Sequence, residues 1–255
     1  MESEPHLSRG GGGKLKLQIR NRFTHEIIFS GEAGSLRELL VSAAGAGADL
    51  SGVDLPGSNL VAVNLEGTDL SRANLSGANL TKANLADSDL AGSNLTRAIL
   101  TGTVLAKARL NQANLTGADL TVADLGGAFL VSADFFWTNL VGANFSGADL
   151  SEANLSKSKA TIANFSGAEL FWTDLGGCNL TMADLSRANL TVANLSKAVL
   201  TKANISGAIL AGADLTGADL SGADLRGADL TNANVTDVNF EGADLTGVDL
   251  SKVKR

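Results

Sequence analysis

The 255 residues are 44% hydrophobic but only 4% aromatic, with two prolines, no tyrosine and a formal net charge of −7. An acidic surface repels phosphate, which disfavours direct nucleic-acid binding, and the lone Cys178 excludes an internal disulfide framework and a cysteine-based zinc site. No apolar run reaches the roughly 20 residues that span a bilayer as a helix, so no membrane partner is expected.

Residues 1–13 start with the acidic Met1-Glu-Ser-Glu, lack the apolar core of a signal peptide, and contain Gly10 to Gly13 in a row. They read as a flexible leader on a cytoplasmic protein, and the glycine run lacks the Lys-Ser/Thr of a phosphate-binding loop. Residues 14–45 read as a cap. Leu15, Leu17 and Ile19 alternate with Lys16, Gln18 and Arg20, the period of a half-buried strand, and Glu26–Phe29 returns as its hairpin partner. Ser35 and Glu38 form the S-x-x-E pattern of a helix start. Leu36, Leu39, Leu40 and Ala43 follow at helical spacing, with Gly45 as the expected stop. His6 and His25 have no ligand-spaced partners, and no metal or cofactor is expected.

From Leu50 to Leu250 every fifth residue is apolar without a slip: 41 positions, of which 34 are Leu. The exceptions are Phe135, Phe145, Ala160, Phe165, Ile205, Val235 and Phe240. Two residues before each stands a small residue, Cys178 in one case, and between them usually Asn or Asp. A helix cannot hold this period on one face, because five steps of about 100° leave a drift of about 140° per repeat. A flat strand fails as well, since its period is two and five is odd. A chain that turns one corner per repeat satisfies the pattern, with the small residue and the Leu inward and the other three outward.

The units Ala73-Asn-Leu-Ser-Arg, Ala78-Asn-Leu-Thr-Lys, Ala118-Asp-Leu-Thr-Val and Ala223-Asp-Leu-Arg-Gly resemble the A(D/N)LXX units of the pentapeptide-repeat family over residues 46–250. The resemblance implies an all-β fold, a right-handed four-sided β-helix of about ten coils. At the roughly 4.8 Å spacing of paired strands, this is a rod on the order of 50 Å long. Residues 251–255 remain as a tail. The resemblance also implies a homodimer through the C-terminal end, where Val235, Phe240, Leu245 and Leu250 are expected to be uncovered.

With four sides, residues twenty apart stack. The first side, holding Leu50, Leu70 and Leu90, carries Asp49, Asp69, Asp89, Asp149, Glu152, Glu169, Asp229 and Asp249 against only Arg72 and Arg109, a balance of −6. The second side, starting at Leu55, comes to −2, the third, starting at Leu60, to 0, and the fourth to −3. Outward aromatics stand near this acidic side: Phe129 in an Asn/Asp position, and Phe136-Trp137 and Phe171-Trp172 in last-two positions. Exposed Trp and Phe mark interfaces more often than ordinary surface. No nucleophile–base pair or isolated carboxylate pair emerges, so an enzyme is not expected. The leading expectation is a protein-binding solenoid that presents an acidic face with an aromatic patch. The alternative, implied by resemblance to quinolone-resistance members of the family, is a DNA mimic that occupies a type II topoisomerase. Magnitude weighs against it: duplex DNA carries about one charge per 1.7 Å, or roughly 30 along this rod, whereas the four sides together carry −11.

Overall fold

The computed structural model describes residues 14–255; the expected leader lies outside the described residues. Strands β1 (Leu15–Arg20) and β2 (Ile27–Ala33) form an antiparallel hairpin with a register irregularity between Ile19 and Arg20. Helix α1 (Leu36–Gly45) follows and buries Leu39, Leu40 and Ala43. Its Ser35 side chain accepts the Glu38 N–H, while the Glu38 carboxylate accepts the Gly34 N–H at 2.8 Å, so both halves of the start signal are used. The helix ends at Gly45 as expected, with Ala46 as its cap. Gly47, at φ 69°, takes the left-handed position. The Ala48 N–H then bonds to the Ala43 carbonyl and the Gly47 N–H to the Ala44 carbonyl, both at 3.0 Å. This is the paired C-terminal bonding that a left-handed residue makes possible.

Beyond the helix, each outward residue pairs in parallel with the residue twenty ahead, as in Asp54 with Asn74 and Asp69 with Asp89. Four repeats therefore complete one turn of a right-handed four-sided β-helix. One repeat illustrates the bonding: Leu75 N–H donates to the Asn94 carbonyl above (2.8 Å), Asn74 N–H to the Val53 carbonyl below (2.8 Å), and Ala78 N–H to the Leu75 carbonyl across the corner (3.0 Å). From residue 52 to residue 247 the second residue of every corner has positive φ, whether glycine or not. The corner imposes this conformation on whatever stands there. For β-branched Val122 (φ 51°), Ile162 (φ 55°) and Val192 (φ 59°) it is strained, at about 1–3 kcal/mol each.

The inward Leu and small residues form one continuous core along the rod, each buried Leu contributing about 1.5–3 kcal/mol by leaving water. Three aromatics break the Leu lattice: Phe135 meets Phe145 edge-on (5.8 Å, 82°), and Phe145 stacks on Phe165 (4.9 Å, 4°). The core needs closing at both ends. At the start, the cap covers the first coil: Asp54 N–H donates to the Arg20 carbonyl (2.9 Å) and Arg22 N–H to the Gly52 carbonyl (2.7 Å). At the other end, the residues read as a tail continue the winding. A 3-10 turn at Leu250–Lys252 returns the chain so that Lys254 pairs with Asn234.

Candidate partner-binding surface

The outward Asn or Asp has a backbone role before any other. Its side-chain oxygen accepts the N–H two residues ahead, as in Asp69 to Ser71 (2.8 Å) and Asp149 to Ser151 (3.0 Å), an Asx turn that sets the corner. Amides then climb the rod: Asn154 Nδ2 donates to Asp134 Oδ1 at 3.0 Å, and Asn194 Nδ2 to Asp174 Oδ1 at 2.8 Å. Residues without a carboxylate or amide here give up the turn bond, and those positions identify surface that the fold does not explain.

The first side stacks as Asp69, Asp89, Arg109, Phe129, Asp149, Glu169, Asn189, Ile209 and Asp229. Asp49 lies exposed at its start and Asp249 exposed at its end, each held below the usual carboxylate range by bonds from Ser51 and Ser251 respectively. The acids do not form a continuous line. Arg109 pairs with Asp89 at 3.4 Å, and Phe129 interrupts the column next. Above it, Asp149 and Glu169 carry no ion pair among the described residues. Glu169 accepts Asn189 Nδ2 at 2.7 Å, and Glu152, on the adjoining corner, accepts the Ser132 hydroxyl at 3.1 Å.

All five expected aromatics are exposed, at 50% for Phe129, 38% for Phe136, 66% for Trp137, 40% for Phe171 and 62% for Trp172. They form two clusters on successive corners. Phe171 and Trp172, on the first corner, stack with centroids 6.0 Å apart and 12° between planes; Glu169 shares their coil, Asp149 and Glu152 lie one coil below and Phe129 two coils below. Phe136 and Trp137 occupy the second corner, across the full width of the second side. There Lys157 Nζ approaches the Phe136 ring to 5.8 Å, and the Trp137 indole lies beside the bare Gly117. Phe129 forgoes the Asx bond, and Asn111 from the coil below supplies a substitute to Val131 N–H at 3.0 Å.

Of the four residues expected at an uncovered C-terminal end, Val235 is buried, because its N–H bonds to the Lys254 carbonyl (2.9 Å) and the returning strand covers it. Phe240, Leu245 and Leu250 remain partly exposed. Cys178 fills an inward slot 3.1 Å from the Ser158 hydroxyl, and burial pushes its thiol up to about 12. Among the described residues no cluster of His, Cys, Asp and Glu is arranged to hold a metal. One surface escaped the reading of the sequence. Val122, Ile162 and Met182 form an apolar ridge on the third corner, exposed at 53–59%; their spacing in multiples of twenty was the available signal.

A family model for pentapeptide repeats matches eight stretches that together cover residues 46–254. The chain belongs to the pentapeptide-repeat family. Among solved structures it is similar to HetL, a pentapeptide repeat protein involved in heterocyst differentiation regulation from the cyanobacterium Nostoc sp. strain PCC 7120. Identity there is 33% over 85% of this chain and 95% of that one, with a TM-score of 0.69. Rfr23 from the cyanobacterium Cyanothece 51142 is 36% identical over 42% of this chain and 64% of that one, with a TM-score of 0.31. QnrB1, a plasmid-mediated fluoroquinolone resistance protein, is 23% identical over 66% of this chain and 90% of that one, also with a TM-score of 0.31. No curated protein matched.

Proposed function

We propose that this pentapeptide-repeat protein is a non-catalytic, cytoplasmic binding solenoid whose first side and first corner dock a partner protein. The observation that carries the reading is the Phe171–Trp172 stack. The fold asks for no aromatic at that corner, yet two stand there exposed, with φ 56° imposed on Trp172. Phe129, two coils below on the first side, forgoes a corner bond and stays on the surface. Asp149, Glu152 and Glu169 ring the cluster, giving it the apolar centre and charged rim of a binding hot spot. HetL is described as taking part in regulation of differentiation, a role that binding alone can fill.

The test is affinity capture from the native cell with wild type and Trp172→Ala in parallel, followed by titration of the recovered partner. A hot-spot tryptophan is worth about 2 kcal/mol or more, which is roughly a thirtyfold loss of affinity. Unchanged binding by the variant refutes this docking surface. The proposal includes a homodimer through the C-terminal end, where Phe240, Leu245 and Leu250 stay partly exposed and the last coil offers unpaired strand edges. Sedimentation of wild type against Phe240→Asp and Leu245→Asp checks that part. A mass unaffected by both changes removes it. The topoisomerase alternative is weakened by the same column that supports docking, since Arg109, Phe129, Asn189 and Ile209 interrupt the negative charge.

A further inference from the structure

We propose that the third side of the rod is a second, self-complementary interface, on which two copies pack side by side and antiparallel. The third side is the only neutral one, at 0 against −6, −2 and −3 for the others, so it is where like-charged rods can approach with least repulsion. It also has residues that the fold alone does not explain. Val122 and Ile162, which flank Gly142, combine strained positive φ with exposures of 59% and 53%, a strain that little burial offsets.

The register identifies the occupant. A twofold axis across the third side at the level of Asn139 sends each coil to the coil equally far on the other side of that level. The middle column runs Asp119, Asn139, Lys159. Asp119 then faces the second copy's Lys159, and Lys159 its Asp119. Neither has an ion-pair partner among the described residues. On the third corner the same operation sets Val122 against the second copy's Ile162, Gly142 against its own equivalent, and Met182 into the gap at Gly102. On the second corner, Trp137 meets Trp137. Lys157 reaches the second copy's Gly117, which that copy's Trp137 ring and Arg97 stem both flank at 3.7 Å, so a cation over an aromatic face comes together with a like-charge contact to Arg97. Arg97 faces Gly177. Met182, Lys157 and Arg97 thus meet glycines, while Val122 meets Ile162 and Trp137 meets itself.

Two like-charge pairs oppose the arrangement: Lys157 meets Arg97 on the second corner, and Lys82 faces Lys202 at each end, which limits the strip to about five coils, roughly 20 Å. Such a strip is smaller than the about 800 Å² per partner of a standard interface, so the association is weak and reversible. Unlike the C-terminal dimer, it uses the middle of the rod, and it assigns Phe136 and Trp137 to self-contact while leaving Phe171 and Trp172 to the partner.

The test is a crosslink in the full chain carrying Asp119→Cys together with Lys159→Cys. Within one chain the two positions lie two coils apart, about 10 Å, beyond the about 4.4–6.8 Å between Cα atoms that a disulfide spans. The bond therefore forms only between copies. Cys178 is buried and does not compete. Mild oxidation with diamide is expected to give a disulfide-linked dimer from the double variant and little from either single one, since like positions also lie about two coils apart across the axis. Adding Ile162→Asp, an exposed change that leaves the core intact, should lower the yield at least tenfold. In an independent arm without cysteines, Lys159→Asp should weaken self-association in sedimentation and Asp119→Lys added to it should restore it. No dimer above the single variants, or a yield indifferent to Ile162→Asp, overturns the proposal. An end-to-end dimer leaves these levels far apart, so its presence or absence does not alter the reading.

Discussion

Ala160 sits on the third side where Leu is the rule, fully buried at the level of Phe165. An isolated Leu-to-Ala change typically costs about 2–5 kcal/mol, much of it from the cavity left behind. Here the missing volume lies beside an aromatic column: Phe165 occupies the next side of the same coil and stacks on Phe145 beneath, with Phe135 edge-on to Phe145. The rings are expected to take up the space of the absent leucine. Ala160→Leu should therefore overpack the coil, at about 1–3 kcal/mol. Phe165→Leu alone should open a void at a similar cost, since it removes about half of what a Phe-to-Ala truncation does. The two together restore the plain Leu lattice and should cost less than their sum by about 1–3 kcal/mol, a coupling well above the few tenths that separate independent sites. Guanidinium midpoints of the four species measure this cycle. Amide exchange at Phe165 and Leu170 reports the coil locally, a safeguard because long repeat arrays need not unfold in one step. Additive costs, or a midpoint raised by Ala160→Leu alone, would mean that the site is an empty cavity and that the rings do not compensate.

Cys178 should resist an aromatic disulfide reagent in the native state at pH 8 and react fully once unfolded, because burial holds its thiol at about 12 and the thiolate is the reactive form; rapid native labelling contradicts that. Asp249 is held down to about 2 by the Ser251 hydroxyl, then Lys252 and the Ser251 N–H. Its contribution is complete above the unfolded value of 3.8 and is lost as pH falls from there towards about 2. Exchange of the Ser251 amide should therefore accelerate, relative to intrinsic rates, across that window, and should do so less in Asp249→Asn. Micromolar protein should leave gyrase supercoiling unchanged. Inhibition that disappears in Asp69→Lys with Asp89→Lys would favour the DNA-mimic alternative instead.

The shape was legible because a five-residue period has one geometric solution that keeps Leu inward, and the twenty-residue stacking then placed every outward residue in a column. Boundaries were less legible. Gly45 read as the stop and the helix does end there, but the left-handed residue that closes it is Gly47, seen only in the bonds from Gly47 and Ala48. Residues 251–255, read only as a tail and too short for a capping helix, need just one strand position, Lys254, to continue the second side and cover Val235. The aromatics were found in sequence as a group, and the corners separated them: 35 residues between Trp137 and Trp172 is less than two coils of rise but a whole side of width.

Function is harder to read than shape here because the fold consumes nearly every residue type it repeats. Asn and Asp form the Asx bonds, glycine relaxes the corners, and Leu and Ala fill the core, so their recurrence says nothing about partners. Information about binding therefore resides in departures, and a departure is informative when the chain accommodates it at a cost. Phe129 is such a case. It gives up the carboxylate or amide that would have held the Val131 N–H, and a second departure, Asn111 in a corner position more often Ser or Thr, supplies that bond from the coil below. Replacing Phe129 with Asp should restore the local bond and leave Asn111 redundant, so Asn111→Ser should be nearly neutral in Phe129→Asp and cost about 0.5–1.5 kcal/mol in the parent. Equal costs in both backgrounds would show that Asn111 serves some other purpose and would remove one support for Phe129 as surface kept for a partner.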